Sequence, residues 1–587
     1  MKLMRVGPKG QERPTLVDAE GTIRDLSGVV PDFAGEGVSL EALDRIRALD
    51  PVTLPALPEK TLSDYVRDHG QQFPDREALV FLGKAITYRQ LDQLADRMAA
   101  LFASRGAKAG DVLGLQMPNT PQYVVAFIAA ARLGMVSTSI SPLMTPPEII
   151  HQANDAQVTI LLTLVPFWQT SVPPVLGKVA TLSTVIVSGP MDLISGQGEA
   201  LEETHEGVSV ISLHDHLPDT AEPVNTPVDM DSVLYLQYTG GTTGLPKGAR
   251  LTSRNLFMNN LQANVFYGYR TGEETVASAF PLFHIGGAAV VFNALRTAST
   301  FLLIPDPRDI DHFVAEMTAR TPTVLAAVPA LYQMLCANET FRGLDFSGLR
   351  MAISGAAPFA KEEVQRLESV IGKNKFCEVY GMTETSPVIT LNPASHFKEG
   401  HVGIPLPGTE VRIVDVDTGK EMPLGEPGEI IAAGPQVMQG YLAMPEATEK
   451  ALQEIDGKRW MHTGDIGVMD NDGFVRVCDR SKDMLIVGGY KVFSVEVESK
   501  VQSLPWVAMC AVVGRPDHDR PGNDVVQLYI QRMPDNQASE SDLKAELSTF
   551  CKANMSPYKV PREVFFIDAI PLTSVGKIDK KALRKTA

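Results

Sequence analysis

From residue 61 onward, hydrophobic and polar positions follow helical and strand periods in turn, which predicts repeated α/β units. Thr87 followed by Gln90 forms a capping-box pattern at the start of one such helix. That helix carries a single apolar stripe, formed by Leu91, Leu94, Met98 and Leu101. Gly106 is expected to end it, and residues 113–117 then alternate as a strand before a second helix over 121–133. Units in series of this kind are typical of doubly wound α/β domains.

Two later regions have different patterns. Residues 400–445 are dense in Gly and Pro and contain short alternating runs, which predicts an antiparallel or barrel-like subdomain. After Lys482 the pattern predicts a small α+β domain, with a helix over 495–503 that opens at Ser494, strands at 507–513 and 525–531, and a helix near 541–553. We therefore expect an α/β protein. A large N-terminal domain (58–481) of doubly wound α/β subdomains plus a β-rich subdomain would precede a small α+β C-terminal domain (482–587).

Residues 1–57 form a separate N-terminal extension in this pattern. Two short runs read as strands, at 2–6 and 14–18, and are followed by the run 21–26. A proline-rich run over 51–58 predicts a stiff linker and a domain boundary. The extension is similar to the N-terminal segment of fumarylacetoacetate hydrolase-like proteins. The acidic metal-binding residues of that family lie in a later domain without counterpart in this chain, so no activity is carried over. We interpret the extension as an appended strand-rich segment of unknown role.

Composition excludes some partners. A net charge of −17 argues against a nucleic-acid partner, although a local group of lysines can still bind an anionic substrate. Five scattered cysteines without metal-type spacing favour reduced thiols in the cytoplasm. The N-terminus lacks an apolar signal run, and the longest apolar run, Tyr123–Ala131, is too short to span a bilayer. Peripheral membrane contact and the choice between monomer and homodimer stay open.

The run Tyr238-Thr-Gly-Gly-Thr-Thr-Gly-Leu-Pro-Lys-Gly248 is the clearest chemical signal in the chain. Alternation over 233–238 predicts a strand, so the glycine-rich loop sits at a strand end, where its backbone N–H groups can converge on an anion. It is not a Walker A loop, because Lys247 lies between Pro246 and Gly248 instead of preceding Ser or Thr. We interpret it as a phosphate loop; the alternative is a plain glycine-rich turn. Its candidate residues are Thr239, Gly240, Gly241, Thr242, Thr243, Gly244 and Lys247.

Further motifs downstream extend this pattern. They are the run Glu378-Val379-Tyr380-Gly381-Met382-Thr383-Glu384, then Thr463-Gly464-Asp465, the run Asp479-Arg480-Ser481-Lys482-Asp483, and Gly576-Lys577. In this order and spacing they resemble the adenylate-forming superfamily of acyl-CoA synthetases, peptide-synthetase adenylation domains and beetle luciferases. The resemblance covers roughly residues 58–587. It is closest to the fatty-acid and aryl acyl-CoA synthetases.

The resemblance implies an ATP-dependent acid–thiol ligase. A carboxylate attacks the α-phosphate of ATP, releases pyrophosphate and forms an acyl-adenylate, and the thiol of coenzyme A then displaces AMP. The phosphate loop would cradle the β- and γ-phosphates, with Mg²⁺ helped by Glu384 and Thr383. Lys577 would reach the carboxylate and the α-phosphate. As a bare lysine in a basic tail it would more often be a solvated side chain; the motif is what favours function.

The nucleotide-binding residues are also implied by the resemblance. Asp465 would accept the ribose hydroxyls, and Arg480 would assist at ribose or phosphate. A wall flanking adenine would be formed by Gly355, Ala356, Ala357 and Pro358. Tyr380 could stack on the other face of the base, within the motif that also includes Val379 and Gly381. Glu378 lies where the family often has Gln, Asn or Glu near the adenine amino group.

Three positions relate to the two half-reactions. His284 occupies the family's aromatic or histidine position beside the carboxylate and would orient it, since an ionised carboxylate needs no base. Lys482 marks the hinge about which a mobile C-terminal domain would rotate, presenting Lys577 or the Gly488-Gly489 loop beside the thiol tunnel. The chain departs from the pattern at Ser494, where many relatives place proline, and serine there should serve as a helix cap.

The acyl pocket is expected to be roomy. Gly381 stands where acetyl-specific relatives have a tryptophan, and small residues after His284 would widen the channel. The expected lining consists of Gly286, Gly287, Val290, Pro387 and Val388. No arginine follows His284 closely, so malonate is not expected, and a medium- or long-chain fatty acid or an aryl acid fits best. Two alternatives stay open: a stand-alone adenylation enzyme that loads an acyl carrier protein, and a non-catalytic nucleotide-binding regulator.

Overall fold

A computed structural model describes the backbone of strands within residues 2–25 and then residues 57–586. The described part omits residues 197, 199–200, 225, 240–245, 358, 489, 518–519, 522, 573–577 and the side chain of 586. The chain forms two compact units. The first comprises Met1–Gly241, Leu245–Val411 and Ala432–Met461; the second comprises Thr242–Gly244, Arg412–Ile431 and His462–Ala587. Residues 412–431 and 462–481 thus group with the C-terminal region, and the predicted boundary at Lys482 stays a prediction.

The N-terminal extension contains an antiparallel three-stranded sheet. Its strands, in the order β1-β2-β3, are β1 (Lys2–Val6), β2 (Arg13–Val17) and β3 (Ile23–Asp25). The two predicted strands are therefore confirmed, and β3 lies within the run 21–26 that follows them. The proline-rich linker lies mostly outside the described residues, which resume at 57.

The first ten strands of the large α/β region are divided between two sheets. Eight of them form an eight-stranded sheet, and the other two, β4 and β5, belong to the next sheet. The strands are β4 (Glu77–Phe81), β5 (Lys84–Thr87), β6 (Val112–Gln116), β7 (Val136–Ile140), β8 (Val158–Leu164), β9 (Thr184–Ser188), β10 (Glu202–His205), β11 (Val208–Ser212), β12 (Val233–Thr239) and β13 (Lys247–Thr252). The sheet order is β10-β11-β9-β8-β6-β7-β12-β13. Its interior pairs are parallel, while β10-β11 and β12-β13 are antiparallel. This is the expected doubly wound pattern, with antiparallel edges.

A nine-stranded sheet forms the second α/β layer. Its further strands are β14 (Thr275–Ser278), β15 (Thr300–Leu303), β16 (Val324–Ala327), β17 (Met351–Ser354), β18 (Phe376–Gly381), β19 (Val388–Asn392) and β20 (Ile404–Pro405). The order is β20-β19-β18-β17-β16-β14-β15-β4-β5, parallel from β4 to β18. The carboxyl ends of β17 and β18 therefore lie side by side, which is where ligands bind in open α/β sheets.

Helices cover these sheets. The longer ones are Leu62–Gln72, Tyr88–Ser104, Pro121–Arg132, Pro146–Asp155, Ser253–Tyr267, Ile285–Arg296, Ile310–Ala319, Pro329–Ala337 and Lys361–Ile371. Short helices lie at Val165–Trp168, Asp192–Ser195, Leu213–His216 and Glu339–Arg342. The predicted capping box at Thr87 and Gln90 is confirmed, and the stripe that follows it is buried. Within the described residues, no helix is both long enough and apolar enough to cross a membrane.

The β-rich subdomain extends past the predicted range of 400–445. Its strands are β21 (Glu410–Val414), β22 (Gly428–Ala433), β23 (Leu452–Ile455), β24 (Lys458–Met469) and β25 (Val475–Arg480), with a helix at Pro445–Ala451. The sheet order is β21-β22-β24-β23, and β25 pairs with β24. The prediction stopped too early because the hairpin of β24 and β25 lies beyond the Gly- and Pro-dense stretch.

The C-terminal region is the expected small α+β fold. Its strands are β26 (Leu485–Val487), β27 (Tyr490–Val492), β28 (Val507–Pro516), β29 (Asp524–Arg532) and β30 (Glu563–Phe566), with helices Ser494–Gln502, Glu540–Asn554 and Lys580–Thr586. One expectation is wrong: Ser494 is the first helical residue and Phe493 occupies the cap position. The Ser494 hydroxyl instead donates to the carboxylate of Asp479 at 3.0 Å, so it ties the helix to the end of β25.

Candidate active site

The two ends of the predicted phosphate loop are held together by a hairpin. β12 ends at Thr239 and β13 begins at Lys247, and these two residues are paired in the antiparallel register. The Thr239 hydroxyl donates to the Lys247 carbonyl at 3.5 Å. The loop residues Gly240, Gly241, Thr242, Thr243 and Gly244 lie outside the described residues. The structure thus describes the anchors of the loop, at a strand end as predicted.

Lys247 and Glu384 share a partner, the aromatic residue Tyr441. The Nζ of Lys247 lies 4.9 Å from the centre of the Tyr441 ring, and the Tyr441 hydroxyl donates to Oε1 of Glu384 at 2.7 Å. Burial raises the pKa of Tyr441, and the neighbouring Glu384 carboxylate raises it further, so the phenol remains a donor. A backbone bridge between Ala249 and Tyr441 places the ring beside β13. The loop lysine and the motif acid, far apart in sequence, therefore form one polar group.

Sequence reasoning missed Tyr441. Nothing in a single sequence separates it from other tyrosines, because its role depends on contacts with residues about 60 and 190 positions earlier. The bridge to β13 brings these distant segments together. The Gly440-Tyr441 pair close to Pro445 is the one local signal of a tight backbone approach.

Thr383 and Glu384 offer oxygen atoms of the kind that Mg²⁺ prefers. Both lie in a buried turn of 3-10 helix, Thr383–Thr385, directly after β18. Among the described residues there is no cluster of three or more metal-ligating side chains. A Mg²⁺ ion carried by a triphosphate keeps most of its waters and takes one or two oxygens from the protein, such as those of Thr383 and Glu384. The residues present therefore fit the ion that ATP chemistry requires.

The predicted adenine wall follows β17. Ala356 adopts a φ of 71°, a left-handed conformation that is strained for a residue with a side chain. A Cβ on Gly355 would lie 2.8 Å from Cγ2 of Val379, so glycine allows β17 and β18 to approach closely here. Ala357 follows in the same turn and is exposed, and Pro358 lies outside the described residues.

Glu378 lies next to this wall, since Ser354 at the end of β17 pairs with it across the sheet. It is 6% exposed, and its carboxyl group accepts a hydrogen bond from the Phe359 backbone N–H. Burial raises the pKa of Glu378 to about 7, despite the opposing effect of that hydrogen bond. Tyr380 and Gly381 end the same strand, and Tyr380 is partly exposed, as a stacking residue should be.

His284 caps the helix Ile285–Arg296. Its Nδ1 accepts the Gly286 backbone N–H at 3.2 Å, so the neutral ring carries its proton on Nε2. A histidine fixed in this way can donate from Nε2 and orient an oxygen, which agrees with the expected role as orienter. A Cβ on Gly286 would lie 3.4 Å from that ring nitrogen, an ordinary van der Waals distance, so the space beside His284 could hold a methyl group.

Two glycines do not widen a channel in the way that the sequence suggested. A Cβ on Gly287 would lie 2.2 Å from the Pro281 carbonyl oxygen, and one on Gly381 would lie 1.8 Å from that of Pro387. Both positions require glycine because another backbone segment passes against them. The explanation of these glycines as open channel space is therefore wrong. Val290 and Pro387 are partly exposed, while Val388 is buried.

Asn259 is a second residue that the sequence did not reveal. Its side-chain amide donates to the Val388 carbonyl at 2.7 Å and accepts the Val388 N–H at 3.0 Å. This pair of bonds fixes the start of β19, so the predicted pocket residue Val388 has a rigid backbone.

In the second unit, Asp465 and Arg480 face each other across the β24–β25 hairpin. They are paired in register, and Arg480 Nε lies 3.0 Å from Oδ1 of Asp465. The part of β24 before Asp465 is held by Glu429, which accepts the Gly464 N–H at 3.0 Å and lies 2.9 Å from Nδ1 of His462. The fifteen-residue separation of Asp465 and Arg480 is therefore the span of one hairpin.

The hinge region also lies in this unit. Lys482 is exposed, and the residues beside it are tied to the C-terminal helix by the ion pair between Asp483 and Arg584. Gly488 adopts a φ of 61°, and its N–H donates to Oδ1 of Asn523 at 2.6 Å. Gly489 and Lys577 lie outside the described residues, so their roles stay predictions.

Comparison with known proteins gives consistent matches. Residues 66–442 match the AMP-binding enzyme family, and residues 496–577 match the AMP-binding enzyme C-terminal domain. A long-chain-fatty-acid–CoA ligase of Escherichia coli is 35% identical over 550 residues, or 90% of this chain and 95% of that protein. A feruloyl-CoA synthase of Amycolatopsis is 30% identical over 515 residues, 87% of this chain and 96% of that protein.

Solved structures agree. The ATP-bound MatB of Rhodopseudomonas palustris is 28% identical, with a TM-score of 0.76 over 90% of this chain and 99% of that chain. The o-succinylbenzoate CoA synthetase of Bacillus subtilis, in complex with its acyl-adenylate intermediate, is 26% identical, with a TM-score of 0.75 over 90% of this chain and 99% of that chain.

Proposed function

The chain belongs to the AMP-binding enzyme family, and from this premise we propose that its acid substrate is a long-chain fatty acid. The protein is an ATP-dependent acid–thiol ligase that forms acyl-CoA through an acyl-adenylate and releases AMP and pyrophosphate. Its substrates and cofactor are the acid, ATP with Mg²⁺, and coenzyme A. Similarity to long-chain ligases over almost the whole chain supports a fatty acid over an aryl acid.

In the first half-reaction the protein brings two anions together. We expect the phosphate loop and Lys247 to hold the β- and γ-phosphates, while Tyr441 keeps Lys247 and Glu384 in fixed positions. When bound, Mg²⁺ neutralises charge on the triphosphate. Lys577 would stabilise the charge that develops at the α-phosphate, and His284 would orient the attacking carboxylate through Nε2.

Nucleotide binding would use both motif groups. The wall at Gly355–Ala357 and the ring of Tyr380 would enclose the base, with Glu378 accepting from its amino group. Asp465 would accept the ribose hydroxyls while Arg480 neutralises its charge, an arrangement supported by their 3.0 Å ion pair.

In the second half-reaction, the C-terminal domain 482–587 would rotate about Lys482 and present the Gly488-Gly489 loop to the thiol. The exposure of Lys482 supports this role. The alternative acceptor, an acyl carrier protein, has less support, since the relatives named above are CoA ligases. We also propose a cytoplasmic location, supported by five buried cysteines that form no disulfide. We propose a monomer or a homodimer, and peripheral membrane contact is a separate question for experiment.

The observation that carries the proposed adenylation step is the Lys247–Tyr441–Glu384 group, which joins the phosphate-loop anchor to the motif acid. The test is acid-dependent exchange between ATP and pyrophosphate over a panel of fatty, aryl and short acids, followed by AMP release with and without CoA. We expect long-chain fatty acids to give the highest kcat/KM and AMP turnover to require CoA. A preference for aryl acids would refute the substrate proposal. Failure of every acid in the panel to support exchange would refute the function.

A further inference from the structure

The backbone just before His284 is held in place by side chains from another part of the same unit. Residues 280–283 run between β14 and the helix Ile285–Arg296, which His284 caps. Hydrogen bonds reach this segment from β12 and from the residues that follow β6. The side chains that make them are all buried: Asn119, Tyr123 and Gln237. Because His284 comes directly after the segment, its position depends on these bonds.

Asn119 and Tyr123 fix the first part of the segment. The Asn119 side chain donates to the Phe280 carbonyl at 3.0 Å and accepts the Leu282 N–H at 2.7 Å, so it makes the two kinds of bond that a neighbouring strand would make. The Tyr123 hydroxyl donates to the Leu282 carbonyl at 2.8 Å. The same hydroxyl lies 3.1 Å from that of Tyr235, which belongs to β12. The segment is thus linked to the strand that precedes the phosphate loop.

Gln237 makes the most direct of these links. Its Nε2 donates at 3.1 Å to the carbonyl of Phe283, the residue next to His284. Gln237 is 3% exposed and lies two residues before Thr239, where β12 ends, which is about 7 Å along the strand. One buried side chain therefore reaches from the strand that carries the phosphate loop to the residue beside the expected carboxylate orienter.

This link joins two sheets. The phosphate loop follows β12 of the eight-stranded sheet, whereas His284 follows β14 of the nine-stranded sheet. Adenylation requires the carboxylate oxygen and the α-phosphorus to be held about 3–3.5 Å apart and in line. A small shift of one sheet against the other would change that distance. A hydrogen bond that connects the two loops at the site itself reduces this freedom.

We propose that Gln237 is a positioning residue for adenylation. It fixes His284 relative to the phosphate loop, and thereby fixes the acid carboxylate relative to the α-phosphate. Asn119 and Tyr123 stiffen the same segment and support this position. The inference rests on the proposed function, because it assumes that His284 orients the carboxylate.

The test is a double-mutant cycle between Gln237 and His284. Gln237→Met keeps the length of the side chain and removes the donor to Phe283. The single variants Gln237→Met and His284→Ala are compared with the double variant. The measurement is kcat/KM for the preferred acid in ATP–pyrophosphate exchange. The matched control is Gln262→Met, since Gln262 is also buried and its Nε2 donates to the Pro407 carbonyl at 2.9 Å.

We expect Gln237→Met to lower kcat/KM by about 2- to 12-fold, the equivalent of one neutral hydrogen bond. In the His284→Ala background it should have no further effect, because Gln237 acts through His284. Gln262→Met should lower stability and leave the kcat/KM of the folded protein unchanged. Gln237→Asn, whose shorter side chain cannot reach Phe283, serves if Gln237→Met does not fold.

The same fold-loss from Gln237→Met in both backgrounds would overturn the inference, since a purely structural role would give additive losses. Wild-type kcat/KM in the Gln237 variant, or in His284→Ala, would overturn it as well. Wild-type protein that supports exchange with no acid of the panel would instead refute the proposed function.

Discussion

Replacing Tyr441 by phenylalanine removes one hydroxyl group and leaves the aromatic ring beneath Lys247. The lost hydroxyl donates at 2.7 Å to Glu384, whose side chain is 5% exposed. A hydrogen bond to a charged group contributes about 1.5–3 kcal/mol net. If the whole effect falls on the step that uses Glu384, adenylation should slow by about 10- to 150-fold, at 1.4 kcal/mol per factor of ten.

The assay is acid-dependent ATP–pyrophosphate exchange over a range of Mg²⁺ concentrations. We expect Tyr441→Phe to lower the exchange rate and to require more Mg²⁺ for half-maximal rate, because Glu384 loses the donor that fixes its position. Tyr441→Leu should be slower still, since it also removes the ring that Lys247 contacts at 4.9 Å.

Tyr332→Phe is the matched control. The Tyr332 hydroxyl is also buried and donates to the carbonyls of Leu325 at 3.1 Å and Ile353 at 2.9 Å, in the core on the other face of the sheet. Its removal should lower stability without changing the exchange rate of the folded protein. A Tyr441→Phe protein with wild-type exchange at every Mg²⁺ concentration would refute the role given to this group.

Three further predictions concern other parts of the chain. Burial raises the pKa of Glu378 from 4.5 to about 7, so the protonated carboxyl group contributes about 3 kcal/mol to the free energy of unfolding. This contribution is complete below pH 4.5 and is lost as the pH rises through 7. In urea unfolding, Glu378→Gln should remove this dependence of stability on pH. Lys577→Ala should slow adenylation by about 10²–10³-fold while sparing thioester formation from supplied acyl-adenylate, and equal loss in both steps would contradict the two-orientation scheme. Deletion of residues 1–57 should leave ligase activity within a few-fold, and a folded but inactive product would show that the extension serves the active site.

Local patterns predicted the parts of this protein that local physics determines. The capping box at Thr87, the β12 strand before the phosphate loop and the strands after Lys482 depend on residues close in sequence, and all are confirmed.

The sequence alone did not predict where distant backbone segments approach each other. Gly381 was interpreted as open space because its missing side chain was taken to face the acyl channel, but a Cβ there would strike Pro387. A tryptophan at this position would distort the turn between β18 and β19, so it cannot test the channel. Tyr441 and Asn259 were missed for the same reason, since each acts on a residue more than fifty positions away.

The central claim is that the protein joins a long-chain fatty acid to CoA through an adenylate. The most direct measurement follows all products from palmitate, ATP, Mg²⁺ and CoA in one reaction. The account predicts palmitoyl-CoA, AMP and pyrophosphate in equal amounts, with AMP turnover that depends on CoA. Formation of ADP and phosphate, or AMP release at the same rate without CoA, would contradict it.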